Sequence, residues 1–243
     1  MKKLLAASFG FVLMFGAPAQ ADVREVYGCN YLDGKGMDDL MSARDYYLKQ
    51  SKKAGLATPD SFVWSLFKGD VPVDVLWFSN YTDLMDFAKQ SDAAAGSSEM
   101  AAVNARFETV VDCNATLASR EQVYDGGEFA VTGGSAFISS FACMLNDGVT
   151  SANLNDLWNH VRGALGTMDE YKNFVLYAAT PLTPGANAAD IYIYGVNDNT
   201  TAWATGQAAF EGSKAGQSLG RHFEALMDCN SSLWIGQKVV GEM

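Results

Sequence analysis

The sequence predicts an α+β protein whose body is two tandem copies of one β-α-β-β-α-β module. Three observations carry that prediction: an internal repeat, strand-type and helix-type periodicities that alternate in the same order in both halves, and a matched pair of cysteines in each half.

The repeat shows most clearly in Ala105-Arg106-Phe107-Glu108-Thr109-Val110-Val111-Asp112-Cys113-Asn114-Ala115-Thr116-Leu117. It returns as Arg221-His222-Phe223-Glu224-Ala225-Leu226-Met227-Asp228-Cys229-Asn230-Ser231-Ser232-Leu233, where Phe, Glu, Asp, Cys, Asn and Leu coincide once one offset is allowed. Upstream features keep the same order. Cys29 and Cys143 lie in apolar segments before Gly-containing turns, Asp39-Leu40 and Asp156-Leu157 open helical patterns, and Phe62-Val63 and Phe174-Val175 start strand-like runs. Asp74-Val75-Leu76-Trp77-Phe78 then matches Asp190-Ile191-Tyr192-Ile193-Tyr194.

In the first copy the predicted strands are Val23 to Leu32, Phe62 to Phe67, Val73 to Asn80 and Ser119 to Tyr124, rich in β-branched and aromatic residues and bounded by Gly, Pro or Asp. Leu40, Ala43, Tyr47 and Leu48 share one face of a helix over Met37 to Ala54 that ends near Gly55. A second helical region begins near Thr82, and Ala102, Val103, Phe107 and Val110 predict a helix over Glu99 to Val111. The second copy reads Ala136 to Leu145, Leu154 to Leu165, Asn173 to Ala178, Asp190 to Val196, a helix over Ala215 to Met227, and Trp234 to Val240. The expected organisation is a signal at 1–21, a first module at 22–125, a Gly-rich linker at 126–135 and a second module at 136–243.

This element order is the ferredoxin-like plan, an antiparallel sheet with helices on one face only. The other face needs a cover, and two fused copies supply it by packing their sheets together or joining them edge to edge as a barrel, helices outside. With Trp77-Phe78-Ser79-Asn80-Tyr81-Thr82-Asp83-Leu84 as its aromatic third strand, the chain resembles the dimeric α+β-barrel superfamily in duplicated form. The resemblance covers most of the chain and matches no catalytic signature, so it implies a fold. It also brings one cofactor into view, because some members bind haem.

Four cysteines allow three pairings. The ferredoxin-like plan sets the first and last strands side by side and so implies Cys29 with Cys113 and Cys143 with Cys229. No CxxC or paired Cys/His spacing supports a metal site, and none is expected.

Met1-Lys2-Lys3, the apolar run Leu4 to Gly16 and the small-residue triplet Ala19-Gln20-Ala21 predict a secretory signal cleaved after Ala21, hence export to the periplasm and no stable membrane insertion. The net charge is -11, and loss of Lys2 and Lys3 makes the remainder more acidic still. Such a surface argues against nucleic acid as a partner, because nucleic acid is bound through clustered Lys and Arg.

The candidate chemistry is sparse. His160 and His222 are the only histidines, both on predicted helices of the second copy, and their counterparts in the first are about Ala43 and Arg106. Each reads either as an ordinary helix histidine or as a general base or haem ligand. Trp64, Trp77, Tyr192, Tyr194 and Arg106, with Asn30 and Tyr31, could line an apolar pocket or simply fill a core. Alternation sends Trp77 to the face opposite Phe78. Asp83, Asp86, Asp112 and Asp228 invite a carboxylate-pair reading, against which the last two recur beside the cysteines as turn or helix-end groups. No phosphate loop, GxSxG, HExxH or EF-hand pattern is present. The leading expectation is therefore a non-catalytic exported protein, without cofactor, that binds a small apolar or aromatic molecule or a protein partner between its sheets. The alternative implied by the resemblance is a cofactor-free or haem-dependent oxidoreductase centred on His222 or His160.

Overall fold

The computed structural model describes residues 22–183 and 188–241, so the expected signal at 1–21 lies outside the described residues. The first half runs β1 (Asp22–Tyr31), α1 (Met37–Ala54), β2 (Asp60–Lys68), β3 (Val75–Tyr81), α2 (Leu84–Ala95), α3 (Ser98–Phe107) and β4 (Val111–Asp125). The second runs β5 (Ala136–Leu145), α4 (Ser151–Leu165), a 3-10 turn at Asp169–Tyr171, β6 (Phe174–Pro181), β7 (Ile191–Asn197), α5 (Thr200–Gly212), α6 (Lys214–Leu226) and β8 (Met227–Val240). Side-chain caps set the helix starts: Asp83, Ser97, Thr150, Asn199 and Ser213 each accept a first-turn backbone N–H.

The eight strands close into one antiparallel barrel in the order β1-β3-β2-β8-β5-β7-β6-β4. Of the two packings open to the sequence, the edge-to-edge barrel is the one formed. It leaves no strand edge unpaired, because β2 pairs with β8 and β4 with β6 across the halves.

Those seams explain where the strands depart from expectation. β4 begins at Val111, eight residues before Ser119, and β8 begins at Met227 instead of Trp234. Each long strand pairs with its own module through its first part and then with the other module, β4 with β1 then β6 and β8 with β5 then β2. The early parts are largely exposed, as at Asp112, Asn114 and Asn230, so no hydrophobic alternation marks them. The same shift ends α3 at Phe107 rather than Val111. α5 has no counterpart in the sequence reading, since its only buried residue is Gly206 and no apolar stripe announces it.

Packing falls into three clusters. Outside the barrel, Leu40, Ala43, Val63, Val75, Trp77 and Val110 lie under the helices of the first module. Leu157, Trp158, Val161, Ile191, Ile193 and Leu219 do so in the second. β4 delivers Val123 to the second module's cluster and β8 delivers Val239 and Val240 to the first's, so each long strand ends beneath the other module's helices. The third cluster fills the barrel. Trp64, Phe78, Ala118, Ile138, Ala179, Tyr194 and Trp234, with Val26 beside them, come from all eight strands.

Both cysteine pairs are bonded as the ferredoxin-like plan implied, Cys29 with Cys113 and Cys143 with Cys229. The cysteines face each other in register within the β1/β4 and β5/β8 ladders, so each second cysteine lies inside a strand and not at a helix end. Asp74 and Asp190 are matched as closely. Each accepts the N–H of a residue two past the first cysteine, Tyr31 at 3.1 Å and Leu145 at 2.8 Å. Among the described residues no helix is long and apolar enough to cross a membrane.

Candidate functional site

Alternation along β1 turns Arg24 and Val26 into the barrel and Glu25, Tyr27 and Cys29 outward. Arg24 is only 4% exposed. Its Nε donates to Asn80 Oδ1 at 2.7 Å, and its guanidinium carbon lies 4.7 Å from the Phe78 ring centre, 5.1 Å from Tyr194 and 6.0 Å from Trp64. Arg24 Nη1 is buried without a hydrogen-bond partner, and so is the hydroxyl of Tyr194. Burial pulls the Arg24 guanidinium down to about 10, and Tyr194 pushes the other way, so the group stays cationic at neutral pH.

A second cation stands nearby. Arg120 on β4 pairs with Asp22 and lies 4.8 Å from the Tyr177 ring centre, and Tyr177 stacks on Tyr194 at 5.2 Å. Stripping a cation of water without giving it an anion is unfavourable by several kcal/mol, and aromatic faces return only about 0.5–2 kcal/mol of that. A buried guanidinium with a free nitrogen therefore has unmet capacity for an anion.

The structure brings Trp64 and Tyr194 into this site. Trp77 lies on the other face of β3, packed edge-on against Phe107 at 5.7 Å. Tyr192 shares the strand face of Tyr194 but is 37% exposed. Arg106 is exposed on α3, in an open groove with Tyr46 and Lys49 of α1. Asn30 donates to the Pro72 carbonyl. The acidic residues do not pair: Asp83 caps α2, Asp86 accepts from Thr82 and Gln90, and Asp112 and Asp228 are exposed strand residues, not helix-end groups.

Arg24, Arg120 and Tyr177 escaped the sequence reading. Val23-Arg24-Glu25-Val26 reads as a strand with a wet face, since Arg beside Glu suggests solvent. The usable signal is that barrel closure buries both faces of a strand, so any charge on an inward position is a candidate.

His160 and His222 do not approach this interior cluster. α4 and α6 bring them together outside the barrel, Nδ1 to Nδ1 at 3.1 Å, both half-buried.

No family model matches the chain, and no curated protein matches it in sequence. Solved structures do match its fold. A protein provisionally assigned as a monooxygenase, from Fusobacterium nucleatum, has a TM-score of 0.59 at 9% identity, with 92% of this chain and 94% of that chain covered. A provisionally assigned chlorite dismutase has a TM-score of 0.56 at 9% identity, covering 91% and 96%. An anthrone oxidase-like protein has a TM-score of 0.54 at 12% identity, covering 92% and 95%. The fold-level resemblance to the dimeric α+β barrels holds.

These similarities correct two expectations. The similar structures are described as monooxygenases, chlorite dismutases and an oxidase-like protein, which favours the oxidoreductase alternative over the expected non-catalytic binder. The expectation of no cofactor loses its support, because the similar structures include chlorite dismutases. An axial haem ligand, however, needs an imidazole facing a slot wide enough for the macrocycle. Here the two imidazoles close on each other between α4 and α6, whose Leu157, Val161 and Leu219 are each 2% exposed or less, and the barrel interior is filled by Trp64, Phe78, Ile138, Tyr194 and Trp234. As arranged, the residues supply the donor and not the slot.

Proposed function

We propose that this chain is an exported oxidoreductase of the dimeric α+β-barrel kind, acting on a small aromatic substrate that carries an anionic group. One observation carries the reading: Arg24, buried among Trp64, Phe78 and Tyr194, holds an unsatisfied Nη1, and Tyr194, whose ring centre lies 5.1 Å from the guanidinium, holds an unsatisfied hydroxyl. In this reading Arg24 and the Tyr194 hydroxyl both donate to the substrate's carboxylate or phenolate, and, because Trp64, Phe78 and Tyr194 fill the interior, its ring enters only as these side chains swing aside. Arg120 adds positive potential at the Tyr177 end of the cluster. The redox half of the proposal is supported by the similar structures.

Export is supported by the Lys-led apolar start and by two disulfides, which persist in oxidising compartments. The division into modules at 22–125 and 136–243 about a linker at 126–135, and their origin by duplication, are supported by the matched cysteines and by Asp74 and Asp190.

The test is made on protein isolated from its native compartment. Oxygen or peroxide consumption is measured with 4-hydroxybenzoate, with binding followed by tryptophan fluorescence and any cofactor by the visible spectrum. Turnover that falls at least tenfold in Arg24→Gln is the expected result. Binding without any oxidation, or turnover indifferent to Arg24→Gln, would overturn the reading.

A further inference from the structure

The chain's two histidines stand 62 residues apart in sequence, and the packing of α4 against α6 sets their Nδ1 atoms 3.1 Å apart. The ring centres are 5.3 Å apart with planes at 39°, so the imidazoles meet by their nitrogen edges and are not stacked. Two nitrogens at that distance can share one proton or one metal ion. With metal–nitrogen bonds of about 2.0–2.1 Å, two imidazoles on one ion stand about 2.9 Å apart at a square-planar cis angle and about 3.4 Å apart at a tetrahedral one. The observed separation falls between these values.

The setting is packed and partly accessible. On the same two helices Val161 and Leu219 are 0% and 2% exposed and Trp158 packs against Phe223, while both histidines stay half-buried. The first module offers no equivalent, having Ala43 and Arg106 at the corresponding places.

We propose that His160 and His222 form a two-imidazole site for a divalent transition metal, copper(II) or zinc(II), that clamps α4 to α6. With both Nδ1 lone pairs on the ion, each neutral ring carries its single hydrogen on Nε2. Among the described residues no cluster of three or more His, Cys, Asp or Glu could hold a metal, so water completes the shell and the ion exchanges freely. Nitrogen donors favour copper and zinc and exclude magnesium and calcium, which take oxygen.

The test is calorimetric titration of the disulfide-intact exported form with copper(II), zinc(II) and magnesium(II) chlorides, alongside thermal unfolding. One copper ion per chain is expected, with at least tenfold weaker binding in His160→Ala and in His222→Ala and no heat with magnesium. Metal should raise the Tm of the parent protein and of neither variant, and copper EPR should report two imidazole nitrogens in the parent and one in each variant. Copper affinity unchanged in the double variant, or a parent Tm that metal does not move, overturns the site. Should an alanine variant fail to fold, His160→Gln and His222→Gln carry the same comparison.

Discussion

The two modules are alike along their backbones and unlike where they meet. Arg24 stands five residues before Cys29 and pairs with Ala118, whereas Ile138 stands five before Cys143 and pairs with Trp234. Seven residues past each second cysteine, the first module has Arg120 and the second has Gly236. Arg24 and Arg120 thus come from the first module, and the second supplies Tyr177 and Tyr194 against which they stack. A repeat can specify the barrel, but a site needs its symmetry broken. The outer surface teaches the same lesson with the modules exchanged, since only the second carries the histidine pair.

The sharpest test of this asymmetry exchanges bulk inside the barrel. Trp234→Ala should destabilise by about 3–5 kcal/mol through the cavity it leaves, while Ala118→Trp at the equivalent place should destabilise by about 1–3 kcal/mol through overpacking. Urea unfolding with the disulfides intact measures both, and equal effects would mean the two positions are packed alike. Next come the disulfides, which should behave symmetrically. Their spacings of 84 and 86 residues are nearly the same, so Cys29→Ser with Cys113→Ser and Cys143→Ser with Cys229→Ser should each lose about 2–5 kcal/mol. A large difference between them would show that one module leans on its bridge more than the other.

Glycines give a finer contrast. A Cβ on Gly236 would stand 2.4 Å from Ile138 and 2.9 Å from Trp64, whereas one on Gly28 would meet Val73 at 3.2 Å. Gly236→Ala should lose about 1–3 kcal/mol by overpacking and Gly28→Ala distinctly less, again by urea unfolding. Arg24→Leu should move stability the other way, by roughly +1 kcal/mol, because it removes a desolvated cation that lacks an anion. The same change should abolish binding of an aromatic acid, and a loss of stability would show that the aromatic faces already satisfy the cation.

The smallest effect belongs to Glu25, four residues before Cys29, where the second module has Ser139 four before Cys143. Burial holds its carboxyl above the usual range, partly offset by the Tyr27 and Tyr81 hydroxyls. A raised acid favours the folded state below its unfolded pKa, and that contribution is lost as pH rises through the folded value. Glu25→Gln should therefore raise Tm at pH 7 by roughly 1–2 °C and leave it unmoved at pH 4. An equal rise at both values would assign the effect to something other than ionisation.

Much of the fold was legible because local rules agree with the global arrangement. The repeat, the period-two runs and the helix at Met37 to Ala54 each report burial of one face, and the wiring of Cys29 to Cys113 and Cys143 to Cys229 follows from setting the first and last strands together. The starts of β4 and β8 were not legible, since their early residues are exposed and carry no hydrophobic signal. α5 was hidden for the same reason. Of the site, Trp64 and Tyr194 could be suspected from their strands, but nothing local marks Arg24, beside Glu25, as an interior residue.

The sequence by itself determined the element order of the modules and the direction in which Trp77 and Phe78 part, because these depend on spacing along the chain, and the cysteine pairs followed only through the ferredoxin-like plan which that order implies. Only the tertiary structure decided that the sheets close edge to edge, that Arg24 lies without an anion among Phe78, Trp64 and Tyr194, and that His160 meets His222. Those contacts join residues far apart in sequence, and they exist only once eight strands have closed and both faces of each have been covered.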